Sequence, residues 1–230
     1  YLNIGNVLRT PSMDEVINNG VRILNQKSKL FPEQNSIFEL GFTFDKQKTT
    51  NPINFKTDIS FFSHNYTNKI KRILLSGTSS SYPVNAGNID VYGYDMKLLF
   101  YPKWDWIHFE TMLSWYSTLD YSLFPSHPPI ALSQHAYIKT RYFNVIIKMR
   151  AESEKYISMR DVSLSDKDVD DVKLQQANYL DIMLYKNLNY KIFNLSISLK
   201  AENLQSKKLL IDDLNLFNNR YSANVYLTIM

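Results

Sequence analysis

Four histidines are the side chains best suited to acid–base chemistry or metal binding: His64, His108, His127 and His135. They are scattered along the chain and lack the close spacing of zinc ligands. His64 and His108 fall on the polar faces of predicted strands, which favours solvated histidines over metal ligands. No other grouping forms a catalytic constellation. We therefore predict no enzyme activity, no catalytic residues, no cofactor and no metal site.

An acidic stretch is the second feature that could bind an ion. It contains Glu152, Glu154, Asp161, Asp166, Asp168, Asp170 and Asp171. The last four are spaced like part of a calcium loop, but Lys167 interrupts them, and the glycine and terminal glutamate of an EF-hand are missing. A solvated loop is the preferred interpretation over a calcium site.

The dominant pattern in the surrounding segments is alternation of apolar and polar side chains. Between positions 53 and 65, Ile53, Phe55 and Phe61 fall on one face of a strand, and Lys56 and Asp58 on the other. Similar segments centre on residues 40, 96, 111, 135, 147, 182, 197 and 227, with one more at the start of the chain. The pattern predicts about ten strands, most of them near the 9–11 residues of a transmembrane strand.

The connections between these strands alternate in length. Short or fairly short turns are predicted at residues 45–52, 103, 140–141 and 186–190, and long polar stretches at 10–34, 67–82, 118–129, 157–173 and 204–219. An outer-membrane barrel has short periplasmic turns and longer extracellular loops. A soluble sandwich has no reason to segregate its connections in this way.

Aromatic residues flank the predicted short turns. The set comprises Phe44, Tyr101, Trp104, Trp106, Tyr137, Tyr142, Phe143, Tyr185, Tyr190 and Phe193. Aromatic girdles mark the headgroup level of membrane barrels. The sequence therefore predicts a periplasmic girdle at this end of the strands.

The composition excludes several other classes. The chain has no cysteine, which excludes a disulfide framework and a thiolate metal site. The net charge of +4 is spread without a Lys/Arg stripe, so nucleic acid is not a predicted partner. No apolar run approaches the roughly 20 residues of a transmembrane helix.

Because Tyr1 falls in the middle of a strand pattern, we expect the chain to be a piece of a longer protein.

Five segments resemble, in order, motifs of the C-terminal half of TonB-dependent receptors. Residues 8–16 resemble "FRxPS…EL", residues 30–42 "LKPExSxxYELGL", and residues 84–98 "xNxGxaxxxGxExxL". Residues 128–135 resemble the "IPPH" entry to a late strand, and residues 199–208 resemble "lxvxNLFdkkY". Each motif alone is weak, but together they cover nearly the whole chain.

This resemblance implies an all-β fold, namely an antiparallel up-and-down transmembrane β-barrel. Residues 1–230 would supply about ten closing strands of a larger barrel of about 22 strands. The plug domain and the earlier strands would lie outside this chain. The whole receptor would reside in the outer membrane of a Gram-negative bacterium and take up a scarce siderophore, cobalamin or oligosaccharide with TonB-derived energy.

The resemblance also implies the partners and the site. Outer-membrane lipid, the protein's own plug, TonB and a small-molecule nutrient would be the partners. Interior charges would face the plug: Asp95, Lys97, Glu110, Lys148, Arg150 and Lys200. Ligand contacts in extracellular loops would come from Tyr82, Tyr121, Phe124 and His127.

Two alternatives remain open from the residues. A passive porin or an outer-membrane adhesin would have the same wall without a plug. A soluble β-protein that binds lipid or sugar would alternate in the same way, with its apolar face as a core.

Overall fold

The computed structural model describes most of the 230-residue chain. The described residues are 1–13, 15, 30–46, 53–75, 81–104, 106–124, 127–160, 169–205, 210–211, 214–215 and 219–229. Their strands are β1 (Leu2–Arg9), β2 (Glu33–Lys46), β3 (Ile53–Thr67), β4 (Ile70–Leu75), β5 (Ser81–Asn85), β6 (Ile89–Pro102), β7 (Ile107–Thr118), β8 (Ile130–Lys139), β9 (Asn144–Glu152), β10 (Lys155–Arg160), β11 (Val169–Leu174), β12 (Ala177–Asn189), β13 (Phe193–Glu202), β14 (Leu210–Ile211), β15 (Leu214–Asn215) and β16 (Arg220–Ile229). A 3-10 helix spans Tyr121–Leu123.

Ten of these strands form one antiparallel sheet, which we call the wall. Its order is β1-β2-β3-β6-β7-β8-β9-β12-β13-β16, so each strand pairs with the next long strand in the chain. The predicted up-and-down arrangement of ten strands is confirmed. β1 runs toward the long connections and β16 ends at the short turns, where Ile229 pairs with Phe193.

The long connections contain a second sheet, ordered β11-β10-β4-β5. We call this sheet, together with the 3-10 helix, the cap. The prediction that residues 67–82 and 157–173 are loops was therefore wrong, since they contribute to β4, β5, β10 and β11. The physical reason is burial: Ile73 and Leu75 of β4 and Ile157 of β10 are at most 8% exposed. Residues 204–219, also predicted as a loop, include the short hairpin β14–β15.

One short turn lies later in the chain than the sequence predicted. β12 extends to Asn189, so residues 186–189 are strand rather than turn. Lys186 pairs with Ile197 of β13, and its Nζ donates to the carbonyl of Arg141 at 3.1 Å. The lysine thus reaches polar groups at the adjacent turn without ending the strand.

The register gives the wall a polar face and an apolar face. On the polar face Asp58 lies opposite Lys97, and Glu110 opposite His135. All six charged residues predicted to point inward lie on this face: Asp95, Lys97, Glu110, Lys148, Arg150 and Lys200. The predicted alternation is therefore confirmed strand by strand.

The apolar face of the wall is open. Phe42 and Phe44 are each 58% exposed, and Leu227 is 60% exposed. In a soluble sandwich these side chains would pack against a second sheet. Within the described ranges, no helix combines the length and apolarity needed to cross a membrane.

Aromatic pairs lie at the short-turn end of the wall, as predicted for part of the girdle. Phe44 packs against Phe55 at 5.6 Å between ring centroids. Trp104 stacks on Trp106 at 5.9 Å, and Tyr190 on Phe193 at 4.6 Å.

Three predicted girdle residues lie on the polar face of the wall instead of the apolar face. Tyr101, Tyr137 and Tyr185 share the polar face, because they pair with Asn54, His108 and Asn144 across the sheet. Their positions alternate with the apolar side chains of their own strands, so they point to the opposite side.

A second aromatic group was not predicted. On the apolar face, nearer the long connections, Tyr94 lies 6.3 Å from Phe61 and 5.5 Å from Trp115. Tyr92 lies 6.1 Å from Trp115. The apolar band is therefore bordered by rings at both ends, as membrane barrels are.

Candidate functional site

Seven rings form a continuous row from the polar face of the wall into the cap. In order they are Phe62, His64, Tyr66, Phe124, Tyr116, Tyr121 and Tyr156, and we call them the aromatic row. Successive ring centroids are 5.3, 5.9, 5.6, 6.1, 5.8 and 6.1 Å apart. These separations lie in the range of favourable aromatic contacts.

The wall end of the aromatic row is built by strand geometry. Phe62, His64 and Tyr66 occupy alternate positions of β3 and so point to the same face. Gly93 of β6 lies opposite Phe62. A Cβ atom at Gly93 would overlap the Phe62 ring and the backbone oxygen of Trp115. The missing side chain therefore makes room for the first ring of the row.

The cap end is built by the 3-10 helix. Its N-cap is Asp120, whose side chain accepts a hydrogen bond from the Ser122 backbone N–H at 2.9 Å. This short capped turn places Tyr121 and Phe124 on either side of Tyr116. Tyr121 then stacks on Tyr156 of β10, with the two ring planes at 17°.

Three of the four predicted ligand residues come together here. Tyr121 and Phe124 belong to the aromatic row, and the backbone of His127 accepts a hydrogen bond from the Tyr116 hydroxyl at 2.8 Å. Tyr82 lies in β5 of the cap, paired with Ile73. The prediction that these residues bind a ligand stays a prediction.

Sequence analysis missed five members of the aromatic row: Phe62, His64, Tyr66, Tyr116 and Tyr156. A signal was present for the first three, since alternate aromatic residues on a strand share a face. Tyr116 belongs to β7 and contacts Tyr121 and Phe124 through the turn that follows this strand. Tyr156 joins the row only through a tertiary contact between separate connections, which no local pattern reveals.

A buried glutamate anchors the row at its centre. Glu33 is 5% exposed and accepts hydrogen bonds from the Ile70 backbone N–H at 2.8 Å and from Lys69 Nζ at 3.1 Å. Lys69 Nζ also lies 4.3 Å from the centre of the Tyr66 ring and 5.2 Å from that of Phe124. The cation is therefore shared between a carboxylate and two ring faces.

Arg9 extends this cluster and joins two of the motif segments. Its guanidinium lies 2.5 Å from Glu15 and 3.7 Å from Glu33. Burial alone would raise the pKa of Glu15, but the Ser12 backbone N–H, the hydrogen bond from Arg9, and the charges of Arg9 and Arg72 outweigh it and lower that pKa. Residues 8–16 and 30–42 thus meet through one network of charges at the base of the cap.

The four histidines do not form a common site. His64 belongs to the aromatic row and lies 3.7 Å from Glu39. His135 Nδ1 lies 3.8 Å from Glu110, on the middle of the polar face. His108 lines an open pocket of about 340 Å³ with Trp106 at the short-turn end.

The acidic stretch lies mostly outside the described residues. Asp161, Asp166 and Asp168 are not described, nor is the side chain of Asp170. Asp171 accepts a hydrogen bond from the Ser158 hydroxyl at 2.6 Å. Within the described part of the chain, no group of three or more metal-ligating side chains occurs.

Comparison with known proteins identifies a family whose model matches most of this sequence. The sequence matches the family model described as "TonB dependent receptor-like, beta-barrel" over residues 1–204. No curated protein matches the sequence. Among solved structures, the chain is similar to one described as "Copper transporter OprC", with a TM-score of 0.59 and 11% sequence identity. The match covers 98% of this chain and 36% of that structure, so the chain spans about a third of its length.

Proposed function

Because this chain belongs to the family of TonB-dependent receptor-like β-barrels, we propose that the complete barrel imports a scarce nutrient across the outer membrane of a Gram-negative bacterium. Energy would come from TonB through a plug domain outside this chain. The wall supplies part of the barrel, with its apolar face toward lipid and its polar face toward the plug.

The observation that carries this proposal is the separation of the two ends of the wall. The strands are joined by short turns at one end, whereas the cap and the aromatic row lie at the other. In outer-membrane barrels the long connections are extracellular. The aromatic row would then be presented to solutes outside the cell and would continue onto the inner wall.

We further propose that the aromatic row, with His127 and Tyr82 beside it, contributes to nutrient binding. Aromatic side chains with a few convergent polar groups are the common lining of small-molecule sites. A siderophore, a cobalamin and an oligosaccharide are the candidate ligands. The likeness to a copper transporter supports the fold alone at 11% identity, so no metal ion is proposed as the cargo.

Uptake by cells tests the proposed function. The complete gene would be expressed in a host without its own TonB-dependent receptors, in strains with and without TonB. Labelled cyanocobalamin, a labelled ferric siderophore and a labelled oligosaccharide would be supplied separately. We expect TonB-dependent accumulation of at least one probe. Accumulation that ignores TonB would identify a passive porin instead, and no accumulation of any probe would contradict the proposal.

A substitution tests the binding surface separately. Tyr121→Ala removes the ring that joins Tyr116 to Tyr156. Loss of such an aromatic contact is expected to raise the half-saturating probe concentration roughly tenfold, which corresponds to about 1.4 kcal/mol. The matched control is Tyr142→Ala, since Tyr142 is 72% exposed at the short-turn end. Equal effects of the two substitutions would contradict a role for the aromatic row.

A further inference from the structure

A small hydrogen-bond network lies at the point where the three connections of the cap meet. Its centre is Ser158 of β10, which is completely buried. Lys71 Nζ, from β4, donates to Ser158 Oγ at 3.1 Å and to Ser122 Oγ of the 3-10 helix at 3.2 Å. The Ser158 hydroxyl in turn donates to Asp171 of β11 at 2.6 Å. One lysine therefore touches all three connections directly or through a single serine.

The residues that Lys71 holds are direct neighbours of the aromatic row. Ser122 follows Tyr121 in the 3-10 helix, and Ser158 lies two positions after Tyr156 in β10. Each of the two stacked tyrosines is therefore close in sequence to a serine whose hydroxyl accepts a hydrogen bond from the same ammonium group. An ammonium group has three donors and can satisfy both hydroxyls at once.

Backbone pairing between these connections is limited. β4 and β10 pair through two residue pairs, Met159 with Leu74 and Arg160 with Leu75. The 3-10 helix has three residues and pairs with no strand of the cap. Lys71 adds a direct polar link among all three connections to their apolar and aromatic contacts.

We propose that Lys71 is a positioning residue for the aromatic row. Only the effect of this positioning on uptake rests on the proposed function. Lys71 holds the 3-10 helix against β10, so that Tyr121 and Tyr156 stay stacked and the three connections act as one surface. Without this ammonium group the 3-10 helix separates from β10, and the row is interrupted between Tyr121 and Tyr156.

Chemical modification of tyrosine tests this proposal without any nutrient. The purified complete barrel would be nitrated with tetranitromethane, and each tyrosine quantified by peptide mass spectrometry. Lys71→Met is expected to increase nitration of Tyr121 and Tyr156 several-fold over the unsubstituted protein. Tyr142, at the far end of the wall, serves as the internal standard and is expected to react equally in both. Unchanged nitration of Tyr121 and Tyr156 would overturn the proposal.

Three further variants separate positioning from folding. Lys71→Arg keeps a cation with several donors and is expected to restore low nitration. Ser122→Ala removes one contact only and is expected to expose Tyr121 even if Lys71→Met fails to fold. Lys173→Met removes a lysine of the same sheet that is paired with Glu154 at 2.5 Å and is 52% exposed, and it is expected to have no effect. Increased nitration in Lys173→Met equal to that in Lys71→Met would overturn the specific role of Lys71.

Uptake distinguishes this proposal from the proposed function. With the probe that the unsubstituted receptor accumulates, Lys71→Met is expected to raise the half-saturating concentration roughly tenfold at an unchanged maximal rate, a difference of about 1.4 kcal/mol. A loss of maximal rate alone would overturn positioning of a binding surface. If no probe accumulates in a TonB-dependent manner, the proposed function fails, while the nitration result still decides the role of Lys71.

Discussion

The wall and the cap differ in whether their large apolar side chains are buried. In the wall, large apolar side chains stay exposed, as Leu227 does at 60%. In the cap, Ile73 and Leu75 are 4% and 3% exposed. The cap therefore has a core of its own, whereas the wall has none on its apolar face, as expected of a surface that lipid covers.

Charged side chains are likewise exposed on the wall and buried at the base of the cap. On the wall, Lys97 pairs with Glu110 at 2.7 Å while its side chain remains 41% exposed. At the base of the cap, the Glu33 side chain is 7% exposed and is satisfied entirely by protein groups. Removing one partner of a buried pair is far more costly than removing one partner of an exposed pair. The comparison predicts where substitutions will be severe.

The largest effect is expected from Glu33→Gln. This substitution leaves Lys69 without its carboxylate partner, and breaking a buried ion pair costs about 3–5 kcal/mol. The free energy should be lost locally, as faster amide hydrogen exchange in β4 and β5. The control is Glu39→Gln on the polar face of the same strand, where the side chain is 32% exposed. Equal exchange rates in the two variants would contradict the claim that a buried carboxylate at the base of the cap contributes more to stability than an exposed one on the wall.

A lysine placed on the apolar face should have the next largest effect. Ile59→Lys puts a charge in the middle of β3, on the face proposed to contact lipid, at an expected cost of about 2–4 kcal/mol. Ser60→Lys puts the same charge one residue later on the polar face, opposite Asp95, and should cost less than about 0.5 kcal/mol. Urea unfolding of the complete barrel in lipid vesicles measures both. Similar losses would show that the two faces do not have different surroundings.

Gly93→Ala should have a smaller effect, within the polar face. The added methyl group overlaps the Trp115 backbone oxygen and the Phe62 ring, and overpacking of this kind costs about 1–3 kcal/mol. Gly5→Ala is the control, since no atom lies within 4 Å of a Cβ at that position. Unfolding in vesicles should separate the two variants. An unaffected Gly93→Ala protein would argue against the close packing of β3, β6 and β7.

The smallest effect concerns pH. The pKa of Glu15 is lowered in the folded protein, so its ionised form adds stability above its ordinary value of 4.5, and that stability is lost as the pH falls through the lower folded value. Glu15→Gln should therefore destabilise the protein by about 1–2 kcal/mol at pH 7, and by less at an acidic pH well below 4.5. Thermal unfolding at both pH values provides the comparison. If the difference in stability between the variant and the unsubstituted protein persists at low pH, the ionised form of Glu15 is not its cause.

The wall could be predicted from the sequence because its order is local. Each strand alternates polar and apolar residues, and each pairs with the next long strand, so no distant partner has to be identified. The polar-face positions of Lys97 and Lys148 follow from alternation alone. The girdle prediction failed at Tyr137 because adjacency to a turn was used there instead of alternation.

The cap could not be predicted in the same way. β4 ends at Leu75 and β10 begins at Lys155, so 79 residues lie between these two strands, which pair in parallel. The predicted loops were polar on average, and their few apolar residues find each other only in three dimensions. Tyr121 and Phe124 were chosen as exposed loop aromatics, but the contact of Tyr121 with Tyr156 and that of Phe124 with Tyr66 depend on long-range assembly.

The orientation of the wall in the outer membrane is the central claim, and thiol labelling of intact cells tests it most directly. The chain contains no cysteine, so single cysteines can be introduced at Leu119, beside the cap, and at Lys103, in a short turn. Both positions are exposed. A membrane-impermeant maleimide is expected to label Leu119→Cys in intact cells and Lys103→Cys only after the outer membrane is permeabilised. Labelling of Lys103→Cys but not Leu119→Cys in intact cells would contradict the account.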